Sequence, residues 1–431
     1  MARPEADKER EEFDIFVREQ GNLLRLYGIF MALTDHFASQ DPPLWGWRRW
    51  PSEYHDPNSE AVARFARDHA ERVRFHQYLQ WEIERQLGSA EGWLKEKGMR
   101  IGLYHDMPLA VDGAGFDIWL HRDLFAARMS AGAPPDPFSP RGQNWGFPPL
   151  DPDVCRQDGY RYFIEVLRRC MRGGALRIDH AMQFFRLFWI PENEKPAVGA
   201  YVLYPAEDMV GILALESVRN RTLIIGEDLG TVPPEIRELF RKRGIYSYRV
   251  LYFEKDGEGK FKRPDMYPEQ ALVTVSTHDL PTFEGYWKGK DIEIRYKIGV
   301  FETEEEHRRE WAERDADKNK LLQALKERNL LPDWHPADTA HVPEVTPELH
   351  AAIVGFAAQT KSKLLLVNQE DIFRDVRQQN LPGTTSEVPN WVTKMRFTLE
   401  DLRSYHMAVG CAAMVRGWID FTGRTCGRKP A

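Results

Sequence analysis

The sequence predicts an α/β fold of the (β/α)8 TIM-barrel type, incomplete and with helical insertions. After Gly98, short apolar runs alternate with helical stretches, a pattern typical of a parallel sheet. Five of the six runs are followed closely by acids, as expected at the carboxyl ends of barrel strands. A closed barrel has eight strands, of which six are found here and two are missing. The six runs are residues 100–105, 175–178, 222–225, 247–252, 272–276 and 364–367.

Residues 1–97 are predicted to form a helical subdomain inserted in the barrel. Between 9 and 87, apolar residues recur at the spacing of an amphipathic helix. A cluster of tryptophan and proline at 42–51 must be a loop, because proline cannot continue a helix. Residues 98–431 are predicted to hold the six strands and the active-site loops. A charged helical insertion is expected around 288–347, with the acidic run 304–306 on a solvated helix face.

Length and composition exclude several classes of protein. A chain of 431 residues with 42% hydrophobic residues can bury a large core. Because 59 basic residues stand against 66 acidic ones, we expect no nucleic acid partner. No run of about 18 uncharged apolar residues is present, and the amino terminus lacks the apolar core of a signal peptide. We therefore expect a cytoplasmic protein with no membrane partner.

Three acids directly follow apolar runs and are candidates for chemistry: Asp179, Glu227 and Asp279. Retaining glycosyl transfer needs a nucleophilic carboxylate and an acid/base carboxyl group about 5 Å apart. Arg177 shares a strand face with Asp179, because side chains alternate along a strand, and can hold a carboxylate ionised. Each acid can instead cap a helix or pair with an arginine. The spacing alone does not decide between Glu227 and its neighbour Asp228.

Two histidines adjoin these acids and can hydrogen-bond sugar hydroxyls: His180 and His278. They can also be read as metal ligands, but no HExxH pattern is present and the four cysteines lack CxxC spacing. We expect neither a metal nor an organic cofactor. The 13 tryptophans offer stacking surfaces for sugar rings, although ordinary core packing accounts for most of them.

These acids lie in motifs that resemble those of glycoside hydrolase family 77, the amylomaltases or disproportionating enzymes, which are 4-α-glucanotransferases. The likeness runs from about residue 13 to residue 391. Six motifs occur in the family's order, which is far more specific than any one of them. They are LYHDMPLAV, GAPPDPFSPRGQNWGFP, RIDH, GEDLGTVPPEI, STHDLPT and NLPGTTSEVPNW.

The resemblance implies a role for each matched residue. Asp179 would be the nucleophile, Glu227 the acid/base, and Asp279 would stabilise the transition state by binding sugar hydroxyls. Trp145 and Phe138 would stack on the glucan and exclude water. The substrate-binding set would be Asp106, Asp136, Phe138, Gln143, Trp145, Arg177, His180, His278 and Asn380.

The implied activity is transfer of α-1,4-glucan segments to the 4-hydroxyl of glucose or another glucan, with maltodextrins, starch or glycogen chains as substrates. The chain departs from the family in three ways. Asp112, Gly113 and Ala114 stand where the pattern more often has an acid, serine and alanine, and Leu280 follows Asp279 where many members have asparagine. The family's two barrel strands before the helical region are not found, so the resemblance implies that the six runs are strands 3 to 8. The missing strands leave three alternatives open: an inactive truncated fragment, a glycan-binding remnant, or a separate segment or chain that supplies the strands. An α-glucan hydrolase is a further alternative, because the same three carboxylates serve either acceptor.

Overall fold

The computed structural model describes residues 4–135, 141–230 and 232–424. The chain divides into two compact units, Met1–Ile224 and Ile225–Ala431. The first unit contains the strands β1 (Tyr104–Met107), β2 (Met129–Ala133), β3 (Gln143–Asn144), β4 (Ala175–Ile178), β5 (Arg186–Pro191) and β6 (Ala200–Leu203). The strand β7 (Leu223–Gly226) includes the unit boundary, and β8 (Tyr246–Val250), β9 (Ala271–Thr274) and β10 (Leu364–Leu365) follow.

The predicted helices of the first unit are present. Helix Pro4–Ala38 is broken at Gly21 and contacts helix Ala70–Glu96, while Ser59 caps Glu60–Asp68 by accepting from Val62 N. The domain boundary at residue 97 stays a prediction. The further helices of this unit are Phe116–Leu120, Pro152–Gln157, Arg161–Cys170 and Ala206–Asn220, with 3-10 turns at Trp47–Arg49, Ser52–Tyr54, Arg122–Leu124, Ala181–Phe184 and Pro196–Val198.

The tryptophan and proline cluster at 42–51 is a loop. It contains the 3-10 turn Trp47–Arg49, and the 3-10 turn Ser52–Tyr54 follows it directly. Trp47 and Trp50 are buried in an aromatic core with the helical residues of this unit. The ring of Trp50 lies 5.5 Å from that of Phe30 and stacks on Phe37 at 5.2 Å. Core packing therefore accounts for these two tryptophans.

Two sheets are built in the first unit. The strands β1 and β4 are parallel neighbours, and their register places Asp106 opposite Arg177. The strands β3, β2, β5 and β6 form an antiparallel sheet in that order. The predicted run 100–105 was placed too early, since β1 begins at Tyr104. The reason is Gly102, whose φ of +76° interrupts an extended chain just before the strand.

In the second unit, β7 pairs with β8, β8 with β9, and β9 with β10, all in parallel. Every residue of β9 is buried, as expected for a parallel strand covered on both faces. The helices of this unit are Pro234–Lys242, Phe283–Lys288, Lys290–Lys297, Glu304–Glu327, Pro347–Ala358, Gln369–Ile372, Asp401–Ser404 and His406–Phe421, with 3-10 turns at Leu251–Phe253, Pro264–Met266 and Thr339–His341. Over the described residues of both units, six strands pair in parallel, and each of them overlaps one of the six predicted apolar runs.

The charged segment contains the helices Lys290–Lys297 and Glu304–Glu327. Helix Glu304–Glu327 begins with a capping box in which Thr303 and Glu306 bond each other's backbone N–H groups. Its leucines, among them Leu321 and Leu325, are buried, while Glu304 and Glu305 are exposed in the first turn, where the helix dipole favours acids. None of the helices in the described ranges is long and apolar enough to cross a membrane.

The close approach of two backbone segments beside β4 gives a test of the fold. Gly174 has a φ of +61°, and a Cβ there would lie 2.2 Å from the carbonyl oxygen of Leu103. We expect Gly174→Ala to lower the free energy of unfolding by about 2 kcal/mol or more. The same change at Gly211, a helical position with nothing within 4 Å, should raise it by about 0.5 to 1 kcal/mol. Urea denaturation measures both, and equal effects at the two glycines would contradict the packing described.

Candidate active site

Arg177 joins two of the predicted carboxylates in the first unit. Its Nη1 atom lies 2.8 and 3.0 Å from the two carboxylate oxygens of Asp106, and its Nη2 atom lies 2.8 Å from Oδ1 of Asp179. The arginine side chain is 9% exposed, whereas those of Asp106 and Asp179 are 46% and 38% exposed. The guanidinium is thus buried beneath two acids that still reach solvent. Alternation along β4 predicted the contact with Asp179.

An aromatic side chain borders this carboxylate group. The ring of Trp145 meets that of His180 edge to face, with centroids 5.3 Å apart, and its Nε1 atom donates to Oε1 of Gln143 at 3.0 Å. Burial lowers the pKa of His180, against the raising effect of Asp179. The structure therefore brings together six predicted residues of this unit. The remaining two, Asp136 and Phe138, lie outside the described residues.

A second group surrounds Asp279, in the loop after β9. His278 Nε2 lies 3.1 Å from Oδ2 of Asp279, and Nδ2 of Asn380 donates to Oδ1 at 2.6 Å. The side chains of His278 and Asp279 are 36% and 34% exposed. The backbone N–H of Asn380 also donates to the carbonyl of His278 at 3.1 Å. The three predicted residues of this group are therefore in direct contact, with one end of the carboxylate fixed by each neighbour.

Glu227 and Asp228, which the spacing did not distinguish, differ sharply in their surroundings. The side chain of Asp228 is wholly buried. It accepts from Ser247 Oγ and Tyr248 N, both at 2.9 Å, and from both terminal nitrogens of Arg249 at 3.2 Å. Glu227 is half-buried, and one of its oxygens accepts from Leu229 N at 2.7 Å. Asp228 is occupied in holding the structure together, which leaves Glu227 as the better candidate for chemistry.

The segment after β10 supports the Asp279 loop, and sequence reasoning missed this role. Asp371 is buried and accepts from Ser276 Oγ at 2.6 Å and from Phe283 N at 2.7 Å, so that it holds both ends of the loop. Gln378 Nε2 donates to the carbonyl of Asp279 at 3.1 Å. Glu370 and Asp371 follow the sixth apolar run, which indicates that polar groups gather there, but the spacing does not show which loop they bind. In residues 4–135, 141–230 and 232–424, no group of three His, Cys, Asp or Glu side chains is arranged to hold a metal ion.

Parallel strands with acids after their carboxyl ends define an α/β protein of the TIM-barrel class. A family model described as 4-alpha-glucanotransferase, glycoside hydrolase family 77, matches residues 1–400. The chain belongs to this family.

Relatives named 4-alpha-glucanotransferase show how much of the family's length is present. The protein of Haemophilus influenzae is 36% identical over 412 residues, which is 93% of this chain and 58% of the relative. That of Mycobacterium tuberculosis is 35% identical over 412 residues, or 93% of this chain and 55% of the relative. The chain therefore spans a little over half the length of these relatives.

Two solved amylomaltases share the fold. The enzyme of Corynebacterium glutamicum superposes with a TM-score of 0.82 at 29% identity, covering 96% of this chain and 57% of that one. The enzyme of Streptococcus agalactiae, solved in complex with acarbose, superposes with a TM-score of 0.75 at 19% identity. The match covers 97% of this chain and 76% of that enzyme's chain. These matches confirm the predicted α/β fold of the TIM-barrel type.

The contrast between Glu227 and Asp228 can be measured. Asp228→Asn removes the charge that Arg249 binds and places an amide N–H among donors, so we expect a loss of about 3 kcal/mol in the free energy of unfolding. Glu227→Gln keeps an acceptor for Leu229 N and should cost less than about 1 kcal/mol. Urea denaturation of the two variants compares them directly. A larger loss for Glu227→Gln would reverse the assignment of structural and chemical roles.

Asp371 gives a prediction for the pH dependence of stability. Burial raises the pKa of this carboxyl from 3.8 to about 6, although Ser276, Phe283 and Asn368 bond to it. Because the folded state holds the proton more tightly, its stability relative to the unfolded chain falls as the pH rises from about 4 to 6. Asp371→Asn cannot ionise, so its stability relative to wild type should improve by up to about 3 kcal/mol between pH 4 and 7. Urea denaturation at four pH values tests this, and a constant difference between the two proteins would contradict it.

Proposed function

We propose that this chain carries the reacting carboxylates of a 4-α-glucanotransferase, which moves α-1,4-glucan segments to the 4-hydroxyl of glucose or another glucan. The observation that carries the proposal is the placement of Asp179 by Arg177, at the strand end where the family motif has its nucleophile. The family match and the relatives named 4-alpha-glucanotransferase support it. Maltodextrins, starch and glycogen chains are the proposed substrates.

The first step forms a covalent glucosyl-enzyme. Glu227 gives its proton to the glycosidic oxygen, and a carboxylate oxygen of Asp179 attacks the anomeric carbon. The bond from that carbon to the glycosidic oxygen breaks, and the shortened glucan leaves with the proton as a free 4-hydroxyl. Arg177 orients the attacking carboxylate through its contact with Oδ1 of Asp179.

The second step transfers the bound glucan to an acceptor. Glu227, now ionised, removes the proton from the acceptor's 4-hydroxyl, whose oxygen attacks the anomeric carbon and releases Asp179. Two inversions give net retention, so the new bond is again α-1,4. If water is the acceptor, the same steps give hydrolysis.

The other predicted residues bind and orient the sugar. Asp279 accepts hydrogen bonds from sugar hydroxyls in an orientation fixed by His278 and Asn380. In the first unit, Asp106 and His180 would bind hydroxyls and Trp145 would stack on the sugar, with Gln143 orienting its indole. The roles of Asp136 and Phe138, a cytoplasmic location, and a further segment or chain with two more strands all stay predictions of the sequence.

Maltotriose tests the reaction itself. The chain, and any longer version that its gene encodes, are incubated with maltotriose and the products are separated by chromatography. Glucose together with longer oligosaccharides means transfer, whereas a steady rise in reducing ends means hydrolysis. Absence of both in both versions would overturn the proposal.

The nucleophile is tested by substitution. Asp179→Ala should lower transfer and hydrolysis together by at least about 10³-fold, because both require the same covalent intermediate. Asp333→Ala, at an exposed position of the second unit, serves as the matched control and should keep wild-type rates. Normal turnover by Asp179→Ala would remove this residue from the nucleophile's role.

A further inference from the structure

Trp391 lies beside the Asp279 group and was not among the predicted site residues. Its ring centroid is 5.3 Å from that of His278, with the planes tilted by 44°. Its backbone N–H donates to the carbonyl of Gln379 at 2.8 Å, next to Asn380. Although this ring touches a residue of the site, 61% of Trp391 is exposed to solvent.

The backbone of Trp391 is strained as well. Its φ is +61°, in the left-handed region, which costs a bulky L-residue about 1 to 2 kcal/mol. The preceding side chain holds this conformation: Oδ1 of Asn390 accepts from Leu381 N at 3.0 Å, and its Nδ2 donates to Thr384 Oγ1 at 2.9 Å. The loop thus presents a large aromatic ring to solvent in a conformation that glycine would adopt at less cost. Strain of this kind is concentrated at functional sites.

We propose that Trp391 is a substrate-contacting residue whose indole face stacks on a glucose ring of an α-1,4-glucan held by the Asp279 group. The inference rests on the proposed function. A glucose ring presents C–H groups on its faces and hydroxyls around its edge, so it needs an aromatic surface with polar groups beside it. The indole supplies the surface, and His278, Asp279 and Asn380 supply the polar groups.

A purely structural role for Trp391 makes different predictions. If the ring only packs against His278, any apolar side chain of similar bulk should replace it. If it stacks on sugar, Trp391→Phe should retain most of the affinity, whereas Trp391→Leu should lose it. Trp391→Gly separates the roles further, because it removes the ring and the backbone strain together. The stacking role predicts weaker glucan binding with unchanged or higher thermal stability.

The experiment measures KM and kcat for maltotriose, the Kd for maltoheptaose by titration calorimetry, and the melting temperature of each variant. We expect Trp391→Leu and Trp391→Gly to raise KM and Kd by about 10-fold, with a smaller change in kcat, because stacking holds the ground state and the transition state alike. Trp334→Leu is the matched control. Trp334 is an exposed tryptophan of the same unit, at 71% exposure, whose ring lies 6.0 Å from His335.

Each outcome decides between the two proposals. Wild-type affinity in Trp391→Leu, or equal losses in Trp334→Leu, would overturn the stacking role while transfer by the wild type leaves the proposed function standing. A marked loss of thermal stability in Trp391→Gly would also overturn it, because the ring would then be part of the packing. A wild-type protein that, in both versions, neither binds maltoheptaose nor transfers glucose units would overturn the proposed function and this inference with it.

Discussion

The carboxylate group of the first unit depends on one buried cation between two strands. The parallel register of β1 and β4 sets Asp106 opposite Arg177, and the pleat of β4 turns Asp179 to the same face. A buried guanidinium is costly unless acceptors surround it, so the register and the charge pairing reinforce each other. A slip of one residue would turn Arg177 to the other face and separate it from Asp106.

The acids of the second unit form two sets that differ in burial. Asp228 and Asp371 are fully buried, and each is surrounded by donors from other segments, so they fasten strands and loops. Glu227 and Asp279 keep part of their surface in solvent, with carboxylate oxygens within reach of a ligand. Glu227 and Asp228 stand next to each other in sequence, and their difference in burial separates the acid that can react from the acid that holds the fold.

The sequence predicts features that depend on neighbouring residues, and misses those that depend on distant ones. Apolar runs locate the parallel strands, and alternation along β4 pairs Arg177 with Asp179. The bond from Ser276 to Asp371 joins residues 95 positions apart, and that from Asn380 to Asp279 joins residues 101 apart. The second pair was predicted to share a site only because both lie in family motifs. No spacing rule gives either contact, because each depends on how the loops after β9 and β10 meet.

The Asp279 group shows why so much of the fold is used to hold one carboxylate. Asp279 lies on a loop, and a loop side chain left to itself would lose conformational entropy on binding a sugar. Here Asn380 and His278 hold its two oxygens, Gln378 holds its carbonyl, and Asp371 fastens the ends of the loop. The ordering is therefore done during folding, before a ligand arrives, and the acceptor oxygens are already in place. The strained backbone of Trp391 is likewise held by folding. The hydrogen bonds of the preceding residue, Asn390, offset the cost of its left-handed conformation and keep its ring beside His278.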